Sequence, residues 1–180
     1  RLAMLAEARP NRAHLALAAL ERMGLLEAVV TQNIDLLHER AGSREVVEVH
    51  GSIRTSSCPS CRARYTLADV LTLVADGERP PRCAKCGAVL KPDVVFFDEP
   101  LAEGAITRAF ELAGRARLLL VVGSSLEVYP VAGLPDETLA TGGRVTVVNL
   151  APTWVDSRAV LTVARSAGEI LEGTIELLQS

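Results

Sequence analysis

The chain has 180 residues, 49% of them hydrophobic, which suits one domain, or one domain carrying a small insertion, and excludes a disordered tail. Against 22 acidic residues stand 19 basic ones, a net charge of −3 that gives no general attraction to nucleic acid or an anionic membrane. All four cysteines fall in two C-x-x-C pairs, no apolar run is long enough to span a bilayer and no secretory leader is evident, so the expected setting is a reducing cytoplasm without membrane partners.

Arg1-Leu2-Ala3-Met4 is already helix-forming and carries no capping signal, and the expectation is that further chain precedes it. Pro10-Asn11 then introduces a helical stretch in which Leu15, Ala16, Ala19, Leu20 and Met23 recur at helical spacing, a stripe that should pack against a sheet, with Gly24 placed to end it. His14 within it reads as a surface or half-buried helix histidine without chemistry. Glu27-Ala28-Val29-Val30-Thr31 is a β-prone run that ends in Gln32-Asn33-Ile34-Asp35, before a brief helix closed by Ala41-Gly42. A second run, Val46 to Val49, stops at His50. A third, Leu118 to Val122, stops at Gly123-Ser124-Ser125, and a fourth, Val145 to Val148, stops at Asn149. Gly168 to Gln179 closes the chain as an amphipathic helix with Ile170, Leu171, Ile175 and Leu178 inward.

Continuous apolar runs separated by loops and helical segments are the signature of a parallel sheet covered on both faces, so the fold class is α/β. Ligands of such sheets bind beyond the carboxyl ends of the strands, where all four polar clusters would gather. Between the second and third strands the periodicity breaks into Ile53-Arg54-Thr55, a C-x-x-C knuckle, Tyr65-Thr66, a short helix from Leu67 to Ala75, and a second knuckle.

The knuckles are Cys58-Pro-Ser-Cys61 and Cys83-Ala-Lys-Cys86, with 21 residues between them. Zinc prefers four tetrahedral ligands, and two tight turns supply four thiolates without a surrounding core. Unrelated buried thiols or disulfides are the poorer reading, given the pairing and the reducing compartment. Four thiolates leave no open coordination position, so the expected ion is a structural Zn2+, one per chain. His50, at a strand end and followed by glycine, is either a catalytic base or a turn residue bonded to backbone.

The segment Thr31-Gln32-Asn33-Ile34-Asp35-Leu36-Leu37-His38 with Ala41-Gly42, then His50-Gly51, then the four cysteines, resembles the sirtuin family of NAD-dependent protein deacylases. Lys91-Pro92-Asp93-Val94-Val95-Phe96-Phe97-Asp98-Glu99, Gly123 to Pro130, Asn149-Leu150-Ala151-Pro152 and Ser166 to Glu169 follow in the family's order, so the resemblance runs from about Pro10 to the end. It implies a Rossmann-like, mostly parallel sheet at residues 1–52 and 92–180, with a zinc ribbon inserted at residues 53–91. The implied reaction uses NAD as co-substrate to remove acetyl or other acyl groups from protein lysine, giving nicotinamide and O-acyl-ADP-ribose. Catalytic roles fall to His50 as general base and to Asn33 and Asp35. Gln32, Asn33, Ile34 and Asp35 would line the nicotinamide and ribose end, Gly123, Ser124 and Ser125 the phosphates and ribose, Asn149, Leu150 and Ala151 the adenosine ribose, and Ala167 the adenine. Val94, Phe96 and Phe97 would form the acyl-lysine channel.

Two departures stand out. Asp98 occupies a position where the family has glycine, and the family's Gly-Ala-Gly-x-Ser segment, which makes the first strand and the pyrophosphate loop, has no counterpart here. A fragment of a longer sirtuin, with weakened NAD binding and unpaired strand edges, is the expectation. Two other functions fit parts of the pattern: a non-catalytic zinc-ribbon interaction module, and transfer of ADP-ribose to protein. The ribbon holds Tyr65 as its one aromatic and little basic excess, so direct nucleic-acid binding is not expected.

Overall fold

A computed structural model describes residues 2–96 and 99–180. Helix α1 (Leu2–Glu7) leads into α2 (Arg12–Arg22), whose N-cap Asn11 accepts from the backbone N–H of His14 at 3.1 Å. Gly24 closes α2 in the left-handed conformation, its N–H donating to the Glu21 carbonyl and that of Leu25 to the Leu20 carbonyl. The buried face of α2 is Ala16, Leu17 and Ala18, whereas Leu15 is 51% exposed. The helix packs on Leu171 and Ile175 of the last helix, α7 (Ala167–Gln179), and on Leu120 and Val122. A sheet contact is therefore present, but with Leu17 rather than Leu15 inward. Leu178, expected inside, is exposed in the final turn of α7.

Strand β1 (Val29–Thr31) pairs in parallel with β2 (Val46–Glu48), the short helix α3 (Leu37–Ala41) forming part of their crossover. After the ribbon and α5 (Glu103–Arg115), β6 (Leu118–Val122), β7 (Arg144–Val148) and β8 (Leu161–Val163) form a second parallel sheet, in that order. Among the described residues the parallel strands thus form two patches rather than the single sheet expected, and apolar packing holds each patch to its helices. Val30 and Val47 lie against Ala109 and Ala113 of α5 and against Val131 and Leu134, the latter in α6 (Leu134–Ala140). Val121, Val145 and Val147 form the core of the other patch with Val155.

The insertion is a three-stranded antiparallel sheet, β4 (Arg64–Thr66), β3 (Gly51–Ser57) and β5 (Lys91–Val94), with α4 (Leu67–Ala75) capped by a reciprocal Thr66–Asp69 pair. Its small core is Cys58, Val70, Cys83 and Leu90. Gly51 begins β3 with φ +69°, and a Cβ there would sit 2.2 Å from the Asp93 carbonyl oxygen. Only a residue without a side chain lets β3 and β5 close at this point. Gly51→Ala should destabilise the protein by about 2–3 kcal/mol, lowering the calorimetric Tm by roughly 5–10 °C; an unchanged Tm would exclude the close approach.

Candidate active site and metal centre

All four polar clusters follow carboxyl ends of parallel strands, and a chain of hydrogen bonds links the loops that carry them. The Val49 N–H donates to the Thr31 carbonyl, which carries the β2 end across to the β1 end. There the Nδ1 of half-buried His50 lies 3.0 Å from the Gln32 carbonyl oxygen. A carbonyl only accepts, so Nδ1 carries the proton and the neutral ring keeps its lone pair on Nε2. The turn reading of His50 is met, since the ring is bonded to backbone, and that bond selects the tautomer a general base would use. The Gln32 amide in turn donates to the Val128 carbonyl at 3.2 Å, tying the β1 end to the loop that follows β6.

Asn33 is exposed, and its N–H is held by the Thr31 hydroxyl at 3.1 Å. Asp35 accepts from the Leu37 N–H at 3.0 Å and so fixes the entry to α3. Leu36 between them has φ +63°, a strained conformation for a leucine, and Leu126 after the serines has φ +55°. Ile34 is tied through its carbonyl to the Ile53 N–H of β3. At the end of β6, Gly123 turns with φ +56° while its N–H donates to the Val148 carbonyl, opening a backbone position that no side chain crowds. The Ser124 hydroxyl accepts from the Leu126 N–H and the Ser125 hydroxyl donates to Glu127. Asn149, after β7, donates to the Ala151 carbonyl at 2.7 Å, and Leu150 beside it is 75% exposed. Ala167 is the first residue of α7, so the free N–H groups of that helix start there.

Of the three residues assigned to the acyl-lysine channel, Val94 is buried in the ladder with Gly51 and Phe96 is 51% exposed, while Phe97 lies outside the described residues. Val95 reads in the sequence as one more apolar residue in a run. It donates its N–H to the His50 carbonyl at 2.8 Å, a contact that only the folded chain reveals.

The four cysteine sulfurs all lie within 4.8 Å of one another, with Cys58–Cys86 at 3.4 Å and Cys61–Cys83 at 3.5 Å. Zn–S bonds of about 2.3 Å in a tetrahedron require sulfurs about 3.8 Å apart, so the set fits a tetrathiolate zinc. The thiols sit in unequal surroundings. The Tyr65 hydroxyl, donating to Cys83 at 3.3 Å, is the largest cause that brings Cys83 down to about 6. Cys86 is pushed up to about 12: the Ala88 N–H works against this, but the crowded sulfurs of Cys58, Cys61 and Cys83 outweigh it. A divalent cation relieves that crowding by taking all four as thiolates. Tyr65 also accepts the Ala84 N–H at 2.8 Å. Its position between the knuckles was the one sequence signal for this supporting role.

His14 is half-buried, as its sequence context suggested. It packs against His38 with ring centroids 4.7 Å apart, and burial pushes both imidazoles down.

The sequence model of the Sir2 family matches residues 1–130. An NAD-dependent protein deacetylase of Caldivirga maquilingensis is 48% identical over 172 residues, covering 96% of this chain and 66% of the relative. One from Thermotoga maritima is 46% identical, covering 86% and 63% respectively, and an NAD-dependent protein deacylase of Pyrococcus furiosus is 44% identical, covering 98% and 71%. The chain thus spans slightly less than two thirds of the length of the first two of these relatives. A solved structure described as Sir2 with p53 peptide and NAD+ superposes with a TM-score of 0.93 at 41% identity, covering 98% of this chain and 73% of that one. Another, described as Sir2 bound to acetylated peptide, gives 0.92. With a Rossmann-like α/β fold, a four-cysteine ribbon and these matches across nearly its whole length, the chain belongs to the Sir2 family.

Proposed function

We propose that this chain carries the catalytic apparatus of an NAD-dependent protein-lysine deacylase. The observation that carries the reading is His50, pinned through Nδ1 to Gln32 with Nε2 free to accept a proton, beside a strand-end loop rich in polar groups. Bound NAD supplies an electrophilic ribose carbon and nicotinamide as leaving group. His50 accepts the proton of a ribose hydroxyl, and Asn33 and Asp35 hold the nicotinamide end with Gln32 and Ile34. Gly123, Ser124 and Ser125 lie along the phosphates and adjoining ribose, Asn149, Leu150 and Ala151 along the adenosine ribose, and Ala167 against the adenine. Val94, Phe96 and Phe97 exclude water around the acyl-lysine chain. The products are nicotinamide, the free lysine and O-acyl-ADP-ribose.

The division into a nucleotide-binding part, residues 1–52 and 92–180, and a zinc ribbon, residues 53–91, belongs to the same reading. So does a cytoplasmic setting, which suits four reduced thiols. Among the described residues no helix is long and apolar enough to cross a membrane. The partner is an acylated protein, and direct nucleic-acid binding is not expected.

The test is nicotinamide release from NAD with and without an acetyl-lysine peptide, on this chain and on the chain extended upstream with a relative's Gly-Ala-Gly-x-Ser segment. Peptide-dependent release by the extended chain is expected. Release that ignores the peptide would favour ADP-ribose transfer or hydrolysis, and no release would favour an interaction module.

A further inference from the structure

We infer that Lys91 is a positioning residue that clamps the acyl-lysine-binding segment after β5, an inference that rests on the deacylase reading above. Its ammonium donates to the Val94 carbonyl at 3.1 Å and to Glu99 Oε2 at 2.9 Å, and it lies 4.8 Å from the centroid of the Phe96 ring. The same Glu99 oxygen accepts the Phe96 N–H at 3.1 Å, and the Glu99 N–H returns to the Phe96 carbonyl. One lysine and one glutamate thus engage the backbone at Val94 and at Phe96.

A strand lysine is ordinarily a solvated charge, and an exposed ion pair by itself contributes little. Lys91 and Glu99 differ because each also takes a backbone partner, which makes the pair directional and fixes the path of the chain. Phe96 is 51% exposed, so burial does not set its ring; the cation against its face does. The clamped segment also touches the proposed base, through the Val95 N–H on the His50 carbonyl. Releasing Lys91 therefore loosens the wall that receives the acyl-lysine while the nucleotide loops, held by bonds of their own, stay in place.

Lys91→Met keeps the aliphatic stem and removes the charge. In the full protein, KM for an acetyl-lysine peptide should rise about 5- to 10-fold, with kcat and KM for NAD within about twofold. Amide exchange at Val95 and Phe96 should speed up about tenfold in the absence of any substrate. Glu99→Gln should act alike, the double variant should be no worse than either single one, and Lys91→Arg should recover most of the loss. Unchanged exchange at those two amides would overturn the clamp. So would an equal rise of both KM values together with a lower Tm, which would mark a merely structural lysine. A wild-type protein that turns over no acyl peptide would defeat the deacylase reading instead, while the exchange measurement, made without substrate, would still decide whether Lys91 holds the segment.

Discussion

On the proposed deacylase reading, His50→Ala should lower kcat by about 10²- to 10⁴-fold, the range a positioned general base contributes, while leaving the fold and the zinc content intact. The expectation follows from the ring's surroundings. Nδ1 is committed to the Gln32 carbonyl, so Nε2 alone of this histidine can take a proton. His14 and His38, the remaining two, pack against each other, and the Nδ1 of His38 is buried without a partner. Removing the ring costs the Gln32 carbonyl one hydrogen bond at a half-buried site, about 1 kcal/mol of stability, so Tm moves little. Peptide and NAD binding should persist, because the loop after β1 is also held by the Gln32 bond to Val128 and the Ile34 bond to Ile53. A His50→Ala protein that binds both substrates and still turns over at the wild-type rate would remove the imidazole from the chemistry.

Cys83→Ser produces the largest structural loss. Cys58 and Cys83 are 1% and 2% exposed and supply much of the ribbon's core together with Val70 and Leu90, so ligation and packing fail together. Structural zinc provides roughly 10–16 kcal/mol in small peptides, and losing one of four thiolates should cost about 5 kcal/mol or more here. The expected result is substoichiometric zinc by elemental analysis and a ribbon whose amides exchange freely. The proposed deacylation should fall as well, because β3 and β5 carry Gly51 and Val94 next to His50. Zinc-free protein with an unchanged Tm would show that the thiols need no ion.

The strand runs and the helix Leu67 to Ala75 were legible because each has a single period bounded by turn residues. The inward face of α2 was not: Leu15 to Leu20 is apolar at every position, so helical spacing fits more than one stripe, and packing against α7 and β6 selects Leu17. Helix α5 has Ala102 as its N-cap, with no side-chain bond, and β8 is three residues long with two of them exposed, so neither announces itself. Two separate parallel patches in place of one sheet also lay beyond pattern reading, since strand composition does not say which strands pair. At the site, the sequence motifs mark the loops at the strand ends, and the structure brings Gln32 and His50 of two of them together. The contacts of Tyr65, Lys91 and Val95 were not legible, because each depends on groups brought together by the turns around it or by distant strands.

The most direct measurement follows a labelled acetyl group from a peptide lysine in the presence of NAD. The account predicts that the label passes to ADP-ribose, with one nicotinamide released for each lysine freed. Label appearing as free acetate without nicotinamide release, or labelled peptide persisting while ADP-ribose becomes attached to protein, would contradict it.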